Sequence, residues 1–415
     1  MNKESITVIG SGIVGICCAL KLQSQGLQVT IIDKNDPVSG CSSGNAGHFA
    51  TEQIFPMASL SILKSLPSII LGPNGPLSIK QSYLPKAMPW MFRFLMAARK
   101  NQFKKGTKIL CHLNKVAMQS YFPLIKMANA EHLIQQKGYL LAFEGNNGMK
   151  LAQKEFKKLS SYDVKQTIVQ HSEIKELEPQ LKNCQNAIYY PDIHYTTDPL
   201  KFSLALFESF IDQGGKFIKR EILKINPITN NEVDLITIGN TIQANKVIVA
   251  TGAYSHKLTK NLGYNIPLET ERGYHLMLSN RDLLNRPVAF AQRKFIMTPM
   301  DNGTRLAGTV EFAGLKNKPN WKRADMLLNH AQYFLNPLKQ VKAADGERWM
   351  GFRPSLPDSL PVIDQDITHK NIFYAFGHQH LGLTQAAVTA DLISNLVHAE
   401  KPIFDLQPCS IQRFN

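Results

Sequence analysis

The sequence predicts an α/β protein that combines a parallel-stranded unit with an α+β part built on an antiparallel sheet. Three observations predict it. The chain opens on a strand, Ile6–Ile9, a glycine turn, a helical run to about Gln25 and a second strand that closes on Asp33. Far downstream the strand Lys246–Ala250 runs into Thr251-Gly252, a second turn of the same kind. Residues 264–345 hold a succession of strand-like runs, Leu268–Leu278, Pro287–Ala291, Phe295–Pro299 and Thr304–Thr309, with the spacing of an antiparallel sheet.

The first turn, Gly10-Ser-Gly12-Ile13-Val14-Gly15, has the chemistry a pyrophosphate needs. Gly10 suits the tight turn, Gly12 lets backbone approach the phosphates, and Gly15 lets the helix pack on the strand, while Ile13 and Val14 open a helix whose N–H groups are unpaired. Asp33 ends the second strand, where a carboxylate accepts ribose hydroxyls, with Lys34 beside it. An ordinary glycine-rich turn lacks this framing of strand, helix, strand and acid, so the unit is read as Rossmann-like.

The 415 residues exceed one compact core and imply two domains. Hydrophobic residues at 44% and charged residues at 19% exclude a disordered chain. Lys and Arg number 47 against 32 Asp and Glu, a net charge of +15 that calls for an anionic partner: a lipid surface, a nucleic acid or substrate carboxylates. Six cysteines form no CxxC pair and no zinc spacing, so reduced thiols and no metal site are expected. The first strand begins at Ile6, which leaves no room for a signal peptide, and no apolar run reaches the ~20 residues of a spanning helix. A cytoplasmic protein is expected, with peripheral membrane contact left open.

Beyond Asp33, the small residues Gly40-Cys-Ser42-Ser43-Gly-Asn45-Ala46-Gly47 can bring backbone against a ligand; the competing reading is a surface loop. Apolar segments Leu60–Leu63, Ser68–Leu71 and Met88–Ala98 alternate with prolines and end in Arg99, Lys100, Lys104 and Lys105. Trp90, Phe92, Phe94, Leu95 and Phe103 beside those cations fit an anionic lipid surface, or else a core helix with a solvated basic end. Helices are expected over Lys108–Asn129 and Gly148–Ser160. Asp198-Pro199 starts another that runs to Gln213. A strand Lys216–Ile225 and a hairpin across Asn230-Asn231 follow. After Trp349-Met-Gly-Phe-Arg353-Pro comes the strand Ile372–Ala375, then Gly377-His378-Gln-His380-Leu381-Gly382-Leu383-Thr384 and a helix to about Ala399.

With both glycine turns and this C-terminal stretch, the chain resembles the D-amino-acid oxidase and dehydrogenase superfamily of FAD proteins, most of all the bacterial D-amino-acid dehydrogenases, including the branch acting on cis-4-hydroxy-D-proline. The resemblance implies an FAD domain over 1–60, 192–262 and 346–415 and a substrate domain over 61–191 and 263–345. It puts Ile222, Ala250, Thr251 and Gly252 on the cofactor together with the Ser42 to Gly47 loop, and brings Gly377, His378, Leu381, Gly382, Leu383 and Thr384 to the pyrimidine edge of the flavin. There, N–H groups and a helix N-terminus stabilise negative charge at N1 and O2.

Two arginines compete for the substrate carboxylate: Arg353, also beside the flavin, and Arg272 in Glu271-Arg-Gly-Tyr274-His275. Tyr274 shares a face with Arg272 and can donate to the same carboxylate. The alternatives are structural ion pairs, Arg272 with Glu269 and Arg353 with Asp358. His48, His378 and His380 are candidates for the substrate pocket, with His378 also a candidate in catalysis; a capping or solvated role competes. In some relatives a histidine in a position comparable to His48 tethers the flavin, but the context differs here and non-covalent FAD is expected.

The implied reaction is hydride transfer from Cα of a D-amino acid bearing a neutral amine to flavin N5, with no dedicated base required and a quinone or respiratory-chain acceptor. Rival readings are a glycine or N-methyl amino acid oxidase using oxygen, a tRNA-modifying flavoenzyme, and a cofactor-binding protein without catalysis. No nucleic-acid-reading module is present, so no nucleic-acid partner is expected.

Overall fold

A computed structural model of the protein describes residues 5–59 and 75–414. The apolar segments Leu60–Leu63 and Ser68–Leu71 lie outside the described residues. The first sheet is built on β1 (Ser5–Ile9), which pairs in parallel with β2 (Gln28–Asp33) on one side and with a strand at Lys246–Val249 on the other. Lys216–Lys219 extends the sheet beyond β2, and Ile372–Phe376 with the antiparallel edge Val362–Gln365 extends it past Lys246–Val249. β1 is a run of alternating and β-branched apolar residues buried on both faces, as a central parallel strand must be. Helix α1 (Ile13–Ser24) follows the glycine turn and packs in one core with the C-terminal helix Gly382–Val397 and with Lys100–Met127.

Among the described residues the second sheet has nine strands, and it carries the other half of the site. At its centre Glu269–Ser279 is antiparallel to both Gly303–Phe312 and Glu347–Ser355. Phe295–Met300, Val288–Phe290, Tyr139–Phe143 and Asn186–Tyr190 continue it outward. Side chains alternate across a strand with period two, so the sheet has two distinct faces. On Glu269–Ser279 the even residues Leu276 and Leu278 face the core that contains the helix Lys322–Phe334. Glu271, Gly273 and His275 therefore look the opposite way, together with their cross-strand partners Arg353, Gly351 and Trp349.

Two segments differ from the sequence-based boundaries. Glu347–Ser355 was grouped with the nucleotide-binding segments, yet its whole length pairs with Glu269–Ser279 in the second sheet. Lys100–Met127 was grouped with the substrate segments, yet Ile109, Leu110, Leu113 and Tyr121 bury against the nucleotide-binding core. Both exchanges cross the interface at which the two sheets meet. The expected strand Lys216–Ile225 is broken after Lys219, and the hairpin Lys224–Thr229 with Glu232–Ile236 turns where expected.

The helix Leu84–Ala97 splits the aromatic cluster expected on a lipid surface. Trp90 is buried, donates to the Ser355 carbonyl at 3.2 Å and stacks on Phe94, and Phe103 stacks on Phe55. Phe92 at 63% exposure and Met88 at 60% stay outside, with Leu84 and Leu95.

Candidate active site

A cleft of about 470 Å³ opens at the carboxyl ends of the parallel strands, where such sheets bind ligands. Gly10, Gly12, Ile13, Val14, Asp33, Lys34, Ser42, Ile222, Ala250, Thr251, Gly252, Gly377, His378 and Gly382 line it. Gly10 has φ +113°, and a Cβ there would stand 2.4 Å from the Ala250 carbonyl oxygen, so the turn admits no side chain. Gly15 lies behind the turn, its would-be Cβ 2.0 Å from the Gly10 oxygen, which is the close packing its position predicts. The Ile13 N–H donates to Ser42 Oγ at 3.0 Å, so the small-residue loop is tied to the start of α1. Asp33 accepts from the Ser11 amide at 2.7 Å and the Ser11 hydroxyl at 3.0 Å, which orients its carboxylate at the cleft edge. Both of those bonds fall on Oδ2, and Oδ1, which accepts from the Asn35 amide at 3.0 Å, keeps one accepting site. Lys34 lies 4.2 Å from the centre of the Tyr254 ring.

The loop Ser42 to Gly47 is clamped between the two sheets. Asn45 closes it internally, donating to the Ser42 carbonyl and accepting from the Gly47 amide, both at 2.7 Å. Ser43 Oγ donates to the Gly40 carbonyl. From the second sheet, His275 Nδ1 donates to the Gly44 carbonyl at 2.8 Å and Arg305 donates to the Asn45 carbonyl at 2.7 Å. His275 stacks on Trp349 at 4.9 Å, and a Cβ on Gly44 would enter that indole ring. Burial first and the Arg305 charge second push the His275 pKa down to about 3, so its ring is neutral. Gly47 packs against the Met300 side chain and the Thr196 carbonyl. At the other wall, Leu381 caps the final helix, the Leu383 carbonyl accepts from Tyr121, and Thr384 Oγ1 accepts from the Ala50 amide. The last of these joins the segment just beyond Gly47 to the first turn of the final helix.

Arg353 is half-buried on the inward face, its guanidinium laid across Gly273, where a Cβ would come within 2.4 Å of Cζ. Its charge is felt at Glu271, Cys41 and His380. Among the described residues no group hydrogen-bonds to the guanidinium, and Asp358, the expected ion-pair partner, pairs instead with Arg413 at 2.7 Å.

Arg272 and Tyr274 depart from the substrate-facing role the sequence suggested. They occupy the even face of the strand and are 0% and 1% exposed. Arg272 donates to the carbonyls of Gly314, Asn317 and Lys318 and lies 3.5 Å from Glu311, not Glu269. Tyr274 donates to Glu311 at 2.5 Å and accepts from the Asn320 amide at 3.1 Å. They do share a face, as expected, but it is the face opposite Arg353.

The three histidines separate. His378 contributes backbone to the cleft, while its ring hydrogen-bonds Thr389 on the final helix at 2.9 Å and burial pushes its pKa down to about 3. That geometry turns the ring away from the catalytic position expected of it. His380 bonds Gln53 at 2.7 Å, and desolvation, then the Arg353 charge, lower its pKa to about 4. His48 is buried against Tyr139 at 4.4 Å, with Nε2 3.0 Å from Glu52. Sequence reading passed over Cys41, Tyr254, Glu271, His275, Arg305 and Trp349. A glycine in the middle of a long strand was the available signal, because it marks close approach of another group and sets the phase of its neighbours.

Tyr274→Phe should cost about 1–3 kcal/mol in denaturant unfolding, since it strips partners from Glu311 and Asn320, while substrate affinity stays unchanged. The His378 ring ordinarily titrates near 6.5, and its folded value is depressed, so the unfolded chain binds the extra proton. Its stability contribution is present above 6.5 and is lost as pH falls from there toward 3. The stability difference between wild type and His378→Gln should shrink over that window; a difference independent of pH would contradict the buried neutral ring.

The profile of the DAO family, described as FAD dependent oxidoreductase, matches residues 5–396. A D-amino-acid oxidase of Bradyrhizobium diazoefficiens is 33% identical over 417 residues, covering 99% of this chain and 98% of that protein. A D-amino acid dehydrogenase of Vibrio vulnificus is 27% identical over 404 residues, 95% of this chain and 96% of the relative. Among solved structures, glycine oxidase from Geobacillus kaustophilus superposes with a TM-score of 0.73 at 20% identity over 99% of both chains. L-proline dehydrogenase from P. horikoshii gives 0.72 at 19% identity, covering 99% of this chain and 98% of its own. With a family profile spanning nearly the whole chain and a nucleotide cleft of matching construction, the protein belongs to the DAO family of FAD-dependent oxidoreductases.

Proposed function

We propose that the protein oxidises a D-amino acid, cis-4-hydroxy-D-proline being one candidate, to the imino acid, which water converts to a 2-oxo acid or leaves as a cyclic imine. The observation that carries this reading is Arg353, a guanidinium without a hydrogen-bond partner among the described residues, held on the sheet face that grips the Ser42 to Gly47 loop. A planar guanidinium grips a carboxylate through two parallel hydrogen bonds and so fixes the orientation of Cα. The relatives named as D-amino-acid oxidase and D-amino acid dehydrogenase support the same substrate class.

The cleft suits FAD. Gly10 and Gly12 leave room for a pyrophosphate at the start of α1, and Asp33 stands where the adenosine ribose would lie. Bound FAD supplies a hydride acceptor at N5. The chain supplies the rest: Arg353 orients the substrate, and the Gly377 to Gly382 turn, with the N-terminus of the final helix, would offer positive dipole ends to a bound flavin. His380, neutral at pH 7, flanks the carboxylate site and leaves Arg353 as its cation. Non-covalent binding of the cofactor is supported by His48, the candidate tether, whose Nε2 is engaged with Glu52.

The electron acceptor is proposed to be a quinone or another respiratory-chain carrier, reached from the cytoplasmic face of a membrane. No helix among the described residues is long and apolar enough to cross one. Exposed Met88 and Phe92, beside the exposed cations Arg99, Lys100 and Lys104, support peripheral contact with anionic lipid. A second reading keeps the site and changes the acceptor to oxygen, favoured by the relative that is named an oxidase.

Anaerobic addition of D-amino acids, with proline and hydroxyproline stereoisomers included, should bleach the flavin absorbance of the purified protein; no bleaching by any of them would refute the reading. Peroxide formed in step with the oxo acid under air would assign the oxidase, and dye or quinone reduction without peroxide the dehydrogenase. Arg353→Ala should raise KM by about 100-fold or more while FAD content is retained, the loss expected of a charged bidentate contact. Phe92→Glu should release the protein from anionic phospholipid vesicles in a sedimentation assay; equal binding of both forms would remove the helix Leu84–Ala97 from any lipid contact.

A further inference from the structure

Glu271 is the cross-strand partner of Arg353 and lies on the same face of the second sheet. One of its oxygens accepts from Ser355 Oγ at 2.6 Å. The other carries no hydrogen bond among the described residues, and the side chain is only half-buried. The first oxygen is well anchored: Gln379 Nε2 donates to Ser355 Oγ at 3.3 Å and to the Leu356 carbonyl at 2.8 Å, while Trp90 holds the Ser355 carbonyl. Gln379 adopts φ +51°, a conformation that a non-glycine residue holds only under constraint, and it lines the cleft. The carboxylate and the guanidinium thus stand as neighbours with complementary charge, each with capacity to spare.

We propose that Glu271 is a catalytic residue that receives the substrate's ammonium group: Arg353 takes the carboxylate, and the uncommitted oxygen of Glu271 accepts one ammonium proton. This rests on the amino-acid reading above. The transfer breaks one N–H bond and forms one O–H bond, so that ammonium and carboxylate become amine and carboxylic acid with no change in electron count. The freed nitrogen lone pair would then be available to form the C=N bond once a hydride acceptor bound in the cleft takes the Cα–H electron pair. A base of this kind contributes most when its pKa approaches the working pH. Burial raises Glu271 above the ordinary carboxylate value of 4.5, against the opposing pull of Ser355 and Arg353. The groups that bear on it are Arg353 and Ser355 across the strand and Glu269 on its own strand; its partner on the other side is the apolar Phe312.

Two unreactive ligands separate the ammonium contact from the carboxylate contact. 2-Aminoisobutyrate carries an amine but no Cα–H, and isobutyrate carries no amine; binding of each is read by perturbation of the flavin spectrum of the holoenzyme. Glu271→Gln should weaken 2-aminoisobutyrate by about tenfold or more and change isobutyrate by no more than about twofold. Its kcat/KM at neutral pH should fall by about 100-fold and climb back with unit slope as the solution amine deprotonates. Equal weakening of both ligands would reduce Glu271 to a structural counter-ion of Arg353, and an unchanged pH profile would overturn the proposal outright. Should Glu271→Gln fail to hold flavin, Ser355→Ala provides the second test. It removes a hydrogen bond that favours the charged carboxylate, so the acid limb of kcat/KM should move to higher pH; an unmoved limb overturns the assignment. A wild type that no amino acid bleaches refutes the substrate reading itself, whereas a wild type reduced by D-amino acids alongside an unaltered Glu271→Gln refutes only this inference.

Discussion

The register between Glu269–Ser279 and Glu347–Ser355 is the constraint from which the rest of the site follows. Because side chains alternate with period two, pairing Glu271 with Arg353 and Gly273 with Gly351 commits these residues to one face, and sends Arg272 and Tyr274 to the other. A one-residue slip of Glu347–Ser355 would turn Arg353 toward the apolar core of Leu276 and Leu278. Gly273 makes the arrangement sterically possible, since the Arg353 guanidinium occupies the space any side chain there would need. The even face is equally committed. Arg272, Tyr274 and Glu311 satisfy one another and four neighbouring carbonyls, a network whose members would each be costly to leave unpaired.

The same register couples the two sheets. His275 and Trp349 are the next facing pair along the strands, and they meet the backbone of the small-residue loop at Gly44. At its other end the loop accepts the first N–H of α1 through Ser42. One short segment therefore transmits the position of the phosphate turn to the sheet that bears Arg353. Its lack of bulk is a packing requirement on both sides, since Gly44 abuts the Trp349 ring and Gly12 faces Ser42. The interleaved chain order has a matching physical role: Lys100–Met127 crosses from the second unit to pack on the first, which makes relative sliding of the two costly.

Much of the nucleotide-binding unit was legible in the sequence because its signals are local. The Gly10 to Gly15 turn, the helix behind it and Asp33 lie within one stretch, and each demands a specific residue type for a backbone reason. The strands at 264–345 were legible for the same reason, as runs of apolar and β-branched residues between turns. The facing of Glu271, Arg272, Gly273 and Tyr274 was not, because a strand buried on both faces shows no polar alternation to set its phase. Sharing a face was deduced correctly for Arg272 and Tyr274; which face it was depended on pairing partners more than seventy residues away, as in the pair Glu271 and Arg353. His378 was misread for a related cause. Its backbone belongs to the cleft, but its ring follows the final helix, and only the path of that helix decides the matter.

The excess of positive charge acquires a local meaning at the site. Arg353 and Arg305 are both pushed below the ordinary arginine range by desolvation, and neither has a carboxylate ion pair among the described residues. Cations held in this way raise the energy of the unliganded protein, since each has surrendered water without gaining a full counter-charge. Arg305 is partly compensated by the Asn45 carbonyl, and Arg353 by the field of Glu271. Neither arginine lines the nucleotide cleft itself, so the charge they hold bears on the sheet face and the small-residue loop beside it.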